Sequence, residues 1–296
     1  MAAQCACADT GKLLLTGGVS SIDGAAGGGL APWAVIGSNA TERETGASVH
    51  VSRVGTQDYS LMAFGVTAGF NERVELSLAR QDFDASPAVA LNGIAAFGVR
   101  PGEHLRMDIV GLKLKLYGDV VLNSDTLAPQ ISVGLQHKTV AAGSLGAVFN
   151  FLGVKTSGTD LYVSATKLFL AKGLLVNGTL RYTNGNQTGL LGFGAGAPGK
   201  DARSLVTEFS MAFLLNPHVA IGVEYRFKPN NLEAFGRAAG LGDALVEDDW
   251  KDIFIAWAPN KNASLTLAYL DLGRIVPGVT AGRGQTGFYL SAQLAF

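Results

Sequence analysis

Large apolar side chains recur at every second position in one stretch of this chain after another. The sharpest case is 110–117, where Val110, Leu112, Leu114 and Leu116 alternate with Gly111, Lys113, Lys115 and Tyr117. A period of two sorts these sets onto opposite faces of a strand, whereas a helix would mix them. The same alternation runs through 62–70, 74–78, 131–135, 209–215, 219–227 and 288–296. Weaker runs bring the total to about twelve, most near the ~9–11 residues that a tilted strand needs to cross a bilayer.

The connections add direction. Long ones fall near 85–104, 140–158, 184–203, 229–250 and 274–284. Tight ones fall at 71–72, 171–172, 216–218 and 259–261, with 121–128 intermediate and a short first hairpin at 55–58 as the exception. Alternating long and short connections are the habit of membrane barrels, whose periplasmic turns are short and outer loops long. A soluble sandwich also alternates, but does not keep Phe, Met, Tyr, Leu and Ile on one face in strand after strand. Charged residues are 16%, below the usual quarter. No run of apolar residues is long enough for a spanning helix, and hydrocarbon tolerates no open sheet edge. The expectation is an all-β chain: a transmembrane antiparallel up-and-down β-barrel over 47–296, of about twelve strands. If 31–38 belongs to an additional strand pair, the number is about fourteen. The net charge of −1 gives no case for nucleic acid as a partner.

Residues 9–46 differ from the rest. Their Gly-rich core, TGGVSSIDGAAGGGL at 16–30, sustains no alternation. Two readings stand: a segment folded into the lumen as a plug, or a loose periplasmic lead-in. It lacks the Lys-Ser/Thr of a phosphate loop. Ahead of it, Ala6-Cys7-Ala8 before Asp9 has the small-x-small form of a signal-peptidase site. Residues 1–8 are read as a signal-peptide remnant, against a disordered N-terminus with two unremarkable thiols.

The inward faces of the expected strands are rich in Gly, Ala, Ser, Thr and Gln. They also carry Glu75, Lys113, Lys115, Lys138, Arg181, Glu208, Glu224, Arg226 and Lys228, with Lys167 the cheaper choice inward. Buried charges must be paired or hydrated. Lys113, Lys115, Arg181, Glu208, Glu224, Arg226 and Lys228 are therefore the candidates for lumen selectivity, or for cross-bracing if Glu208 and Arg226 pair across neighbouring strands. The slight basic excess favours anions weakly. Tyr182, Tyr225, Phe227, Trp257, Tyr269 and Phe288 suit an aromatic rim. The four histidines are scattered, and no Ser–His constellation or metal-ligand spacing appears. No catalytic site, cofactor or metal is expected. The acidic group Glu247, Asp248, Asp249 and Asp252 is read as a solvated loop with Lys251 as counter-ion, rather than as a divalent-cation site.

The last strand, FYLSAQLAF, resembles the C-terminal strand of bacterial outer-membrane barrels, whose terminal Phe is read by the insertion machinery. The resemblance implies Phe288, Leu290, Leu294 and Phe296 as the insertion signal. Further stretches, among them GTDLYVSATKLFLAKGLLVNGTLRYTNGNQTGLLGFG and EDDWKDIFIAWAPNKNASLTLAYLDLG, are similar to an uncharacterised proteobacterial family, a domain of unknown function grouped with outer-membrane barrels. That resemblance covers most of 12–296 and implies a barrel with a signal peptide, but brings no substrate or site residues. The expected function is passive passage of a small solute across the outer membrane, among lipid and lipopolysaccharide. The alternatives are a closed scaffold barrel or a gated carrier of hydrophobic compounds.

Overall fold

The computed structural model describes residues 12–94, 97–123 and 125–296. Two short strands come first, β1 (Val19–Ser20) and β2 (Ala26–Gly27). Twelve long ones follow: β3 (Thr45–Thr56), β4 (Ser60–Phe70), β5 (Val74–Asp84), β6 (His104–Tyr117), β7 (Gln130–Ala141), β8 (Ser157–Phe169), β9 (Leu174–Thr183), β10 (Ser204–Asn216), β11 (Val219–Arg226), β12 (Trp250–Asn260), β13 (Ala263–Arg274) and β14 (Gly284–Ala295). Each long strand pairs antiparallel with the next, and β14 pairs with β3, so the sheet closes as a twelve-stranded barrel. Closure leaves no unpaired edge for a membrane to solvate.

The outward face carries the apolar parity. Val49, Val66, Leu78 and Val110 lie side by side in register across β3–β6, all exposed. A soluble protein does not leave so continuous an apolar surface uncovered; around a barrel it is the lipid-facing band. The aromatic residues Tyr182, Trp257, Tyr269 and Phe288 stand on the same face.

Polarity inverts along β5 and β6. In β6 the outward residues are Leu116, Leu114, Leu112 and Val110 toward the short-turn end, then Asp108, Arg106 and His104 toward the long-loop end. Inward, Lys115, Lys113 and Gly111 give way to Ile109, Met107 and Leu105. β5 changes in the same place, from outward Leu76 and Leu78 to outward Arg80 and Asp82, and from inward Glu75 to inward Phe83. Arg80 pairs with Asp108 at 2.5 Å, and Asp82 with Arg106 at 3.0 Å, outside the barrel. An apolar inside with charges outside is the rule for water, and the reverse is the rule for a polar-lumened barrel in lipid. The boundary of the apolar band therefore crosses β6 at Ile109–Val110. About six residues beyond it, roughly 20 Å of strand, stand clear of the hydrocarbon. The polar lumen expected from the sequence holds for the short-turn half; toward the long loops the inward residues of β5 and β6 turn apolar, while β7–β11 keep charged residues inward.

Two expectations need correction. The first barrel strand begins at Thr45, not 47, because Thr45 and Gly46 already pair with Phe70 and Gly69 of β4. Residues 31–38 add no strand to the barrel: they lie inside it. Ala31, Ala34, Val35 and Ile36 are at most 3% exposed, yet this backbone is largely irregular. The wall satisfies it. Pro32 O accepts from Thr179 Oγ1 (2.8 Å), and Ala34 N donates to Thr166 Oγ1 (2.7 Å). Ala34 O accepts from Gln130 Nε2 (2.7 Å), and Gly24 O from Thr67 Oγ1 (2.8 Å). Non-helical backbone at membrane depth persists only where protein groups meet its polar atoms.

Candidate lumen site

Wall and inner segment meet through charge. Between Lys12 and Glu42 the sequence has a single charged residue, Asp23, and it is fully buried. Its carboxylate lies 2.9 Å from Arg226 Nη2 and 3.4 Å from Lys138 Nζ. Lys138 reaches Asp160 at 3.2 Å, and Asp160 reaches Arg181 at 3.4 Å. Arg181 Nε lies 2.5 Å from Glu208, and Glu208 lies 3.1 Å from Arg226 Nε. Six groups thus close a ring of alternating charge. Five come from the consecutive strands β7–β11, at inward positions, and Asp23 completes it. Arg181 also donates to Gln136 Oε1 at 2.8 Å and lies over the Tyr162 ring. Charges this deep persist because each has partners on two sides.

Two further anchors use carboxylates as acceptors for backbone. Glu75 accepts from Ala26 N (3.2 Å) and Gly37 N (2.7 Å) and pairs with Lys113 at 3.1 Å. Lys113 Nζ in turn donates to Ala26 O (3.0 Å) and Val35 O (2.9 Å). Glu224 accepts from Leu30 N (2.7 Å), Ala31 N (3.3 Å) and Ser210 Oγ (2.7 Å). Gly28 sits against this carboxylate; a Cβ there would fall 2.2 Å from Glu224 Oε1.

The sequence-derived candidates therefore divide. Lys113, Arg181, Glu208, Glu224 and Arg226 are buried in the lumen, with Lys113, Glu224 and Arg226 in direct contact with the inner segment. Lys115 lies at the short-turn mouth, 3.1 Å from Asp119 and 3.7 Å from Glu72. Lys228 is not on a barrel strand, since β11 ends at Arg226. It joins the long-loop layer, 3.8 Å from Glu247, with both side chains at most 4% exposed. Burial holds Glu247 up to about 7 and Lys228 down to about 8, each against the pull of the other's charge. Lys167, expected inward, has the outward parity of β8, opposite Val176 of β9; it is buried because the connection before β7 covers it, its amine donating to the carbonyls of Asn123 and Ala128.

The acidic group does not converge as one solvated loop. Glu247 pairs with Lys228, Asp248 with Arg274, and Asp249 accepts from Tyr225 Oη. Asp252 lies in β12 beside Glu224, and Lys251 pairs outward with Asp271 at 3.0 Å. His50 is buried and inward, while His104 lies outside against Asp82. His137 meets Thr159, and His218 meets Ala258 O in a short turn. Phe288, Leu290, Leu294 and Phe296 are all exposed on the outer face.

Sequence reasoning missed Asp23 and Asp160. Asp23 had a signal, as the lone charge of a long uncharged stretch. Asp160 shares parity with Tyr162, Ser164 and Thr166, the inward set of β8, but that strand's parity was ambiguous without its neighbours.

No curated protein matches the sequence. Among solved structures, the NanC porin aligns with a TM-score of 0.51 at 10% identity, over 84% of this chain and 98% of that one. The KdgM porin, in complex with disordered oligogalacturonate, aligns at 0.50 and 10% identity, over 84% and 99%. At these identities the likeness is one of fold, that of outer-membrane porins. Residues 16–293 match the family described as Protein of unknown function (DUF3034), and the chain belongs to that family.

Proposed function

We propose that this protein is an outer-membrane transporter of small solutes whose lumen is closed by residues 12–44 and opened when they move. One observation carries the reading: beside the apolar contacts of Val19, Ile22, Leu30, Trp33 and Val35, the inner segment is tied to the wall by a dense set of hydrogen bonds and ion pairs. Such an interface exchanges for water at modest net cost, since each group freed on either side is rehydrated. An apolar core has no such alternative. The porin fold of NanC and KdgM supports the reading. No catalytic role is proposed for any residue.

With the inner segment displaced, Asp23 leaves the ring. The wall then presents Lys138, Arg181 and Arg226 against Asp160 and Glu208. Lys113, Glu75 and Glu224 lose their backbone partners and face water. The excess of cations in the ring favours anionic solutes. Lys115 at one mouth and Lys228 at the other flank this path. The chain's partners on this reading are outer-membrane lipid and lipopolysaccharide, with Phe288, Leu290, Leu294 and Phe296 as the signal to the insertion machinery.

The test is single-channel conductance in a planar bilayer, comparing the full chain with one lacking residues 12–40. The expected result is rare openings in the full chain and steady, anion-preferring current in the truncation. A second reading, a closed scaffold barrel, is favoured by the apolar residues that β5 and β6 turn inward toward the long loops. It becomes the better one if both chains insert and both stay silent.

A further inference from the structure

Asp23 stands at the tip of a small hairpin. β1 and β2 pair Val19 with Gly27 and Ser20 with Ala26. The turn between them closes through Ser21 N to Ala25 O at 2.8 Å and Gly24 N to Ser21 O at 2.9 Å. Gly24 takes a φ of 90°, which its lack of a Cβ allows; a Cβ there would fall 2.8 Å from that of Ala79 in the wall. The tip is thus seated against the barrel, and wall side chains alone receive its charge. Arg226 Nη2 and Lys138 Nζ donate to Asp23 Oδ2 at 2.9 Å and 3.4 Å, and Gln81 Nε2 donates to Oδ1 at 3.2 Å. These donors come from β11, β7 and β5, and each is at most 2% exposed.

The receiving site belongs to the wall, and without the hairpin it is one negative charge short. Lys138, Arg181 and Arg226 face only Asp160 and Glu208 from the wall; Asp23 brings the ring to balance. Glu224, two positions from Arg226, gives its oxygens to Leu30 N, Ala31 N and Ser210 Oγ rather than to the ring. A buried charge left without its counter-charge is costly, so the wall demands an anion here. Two cationic donors and an amide converging on one carboxylate fit that group closely, through charge-assisted hydrogen bonds. The site also lies directly beneath an outer loop, because Lys138 Nζ donates to Thr188 O of the 184–203 connection at 2.9 Å.

We propose that Asp23 is a tethered stand-in for a solute: Arg226, Lys138 and Gln81 form a binding site for a small carboxylate anion, which takes the place of the Asp23 side chain. Exchange of one carboxylate for another keeps the ring neutral, so the hairpin is released without leaving a buried cation unpaired. A tethered group competes at an effective concentration on the order of millimolar, so a free carboxylate displaces it when concentrated. As the gate of a transporter this rests on the transport reading; as a carboxylate site it does not.

Asp23→Ala empties the site and leaves its donors in place. The full chain carrying it is refolded into detergent micelles in sodium chloride, in sodium acetate, and in sodium chloride with acetamide, at matched ionic strength, and its urea midpoint is measured. In chloride the midpoint should fall below that of the wild type. Acetate should recover most of the loss, saturably, and acetamide, of the same shape without the charge, none of it. Folding in acetate but not in chloride is the same result in stronger form. Equal recovery in chloride and acetate would be an anion site without carboxylate preference and overturns the proposal, as does no recovery in any medium. The wild type gives a second measurement: its open fraction in a planar bilayer should rise severalfold when acetate replaces chloride, and an unchanged fraction in a conducting wild type overturns the exchange. Recovery by acetate beside a wild type that never conducts keeps the site and removes the transport reading. Anion-preferring conductance without recovery does the reverse.

Discussion

Lys113 shows what a single inward residue does here. Its amine meets Glu75 and two carbonyls of the inner segment, all out of contact with solvent. Lys113→Met leaves Glu75 as a buried charge without its cation. The expected cost is about 3–5 kcal/mol, read as a lower urea midpoint of the folded barrel. Adding Glu75→Gln should recover most of it. Lys228 and Glu247 make a prediction about pH. Glu247 is raised by burial to about 7, so its contribution to stability is fully present below its ordinary value and is lost as pH rises through 7. Lys228 is lowered by burial to about 8, so its contribution is present above its ordinary value and is lost as pH falls through 8. The loop tie is therefore weakest between about 7 and 8, where both groups are charged. Hydrogen exchange of the 184–194 amides, corrected for intrinsic rate, should be fastest in that window and slower on both sides. A monotonic profile would refute this assignment.

The inner segment is the element on which the barrel's state turns. Gly28, Gly29 and Gly37 sit where its backbone approaches a wall carboxylate, most tightly Gly28 against Glu224. Gly28→Val puts a branched side chain into that carboxylate and should release the segment while leaving the strands intact. Limited proteolysis should cut within 12–44 in the variant at a rate the wild type does not approach, with unchanged β-strand circular dichroism. This element was only half legible in sequence. Its Gly-rich, unpatterned composition marked it as something other than a strand. Whether it lay in the lumen or hung loose depended on Thr67, Gln130, Thr166 and Thr179, whose side chains meet its backbone from four different strands. β6 was legible in part. Its outward Val110–Leu116 parity stood out, but the reversal at Ile109 did not, because Leu105, Met107 and Ile109 make as good an outward set as an inward one until the membrane boundary is placed.

At the scale of the whole molecule, closure joins the first long strand to the last. Phe296 N donates to Ala47 O at 2.8 Å, and Ala47 N to Phe296 O at 3.1 Å, so its backbone seals the seam while its ring stays outside, 67% exposed. Phe296→Ala removes only that ring. It should change the stability of the refolded barrel by less than about 1 kcal/mol, yet slow assembly in cells severalfold, measured as pulse-labelled protein reaching its heat-modifiable folded form. Comparable losses in both measurements would make the ring a structural contact rather than a signal. The sequence by itself determined the strands, their outward face, their antiparallel order and the loop asymmetry. These follow from a period of two and from chain connectivity, both local properties. Only the tertiary structure decided what fills the barrel. Asp23 meets Arg226 across some two hundred positions of chain, and the charged ring draws one residue from each of five strands. No local pattern encodes such a meeting, because it depends on how far each strand is offset from its neighbour once the sheet has closed.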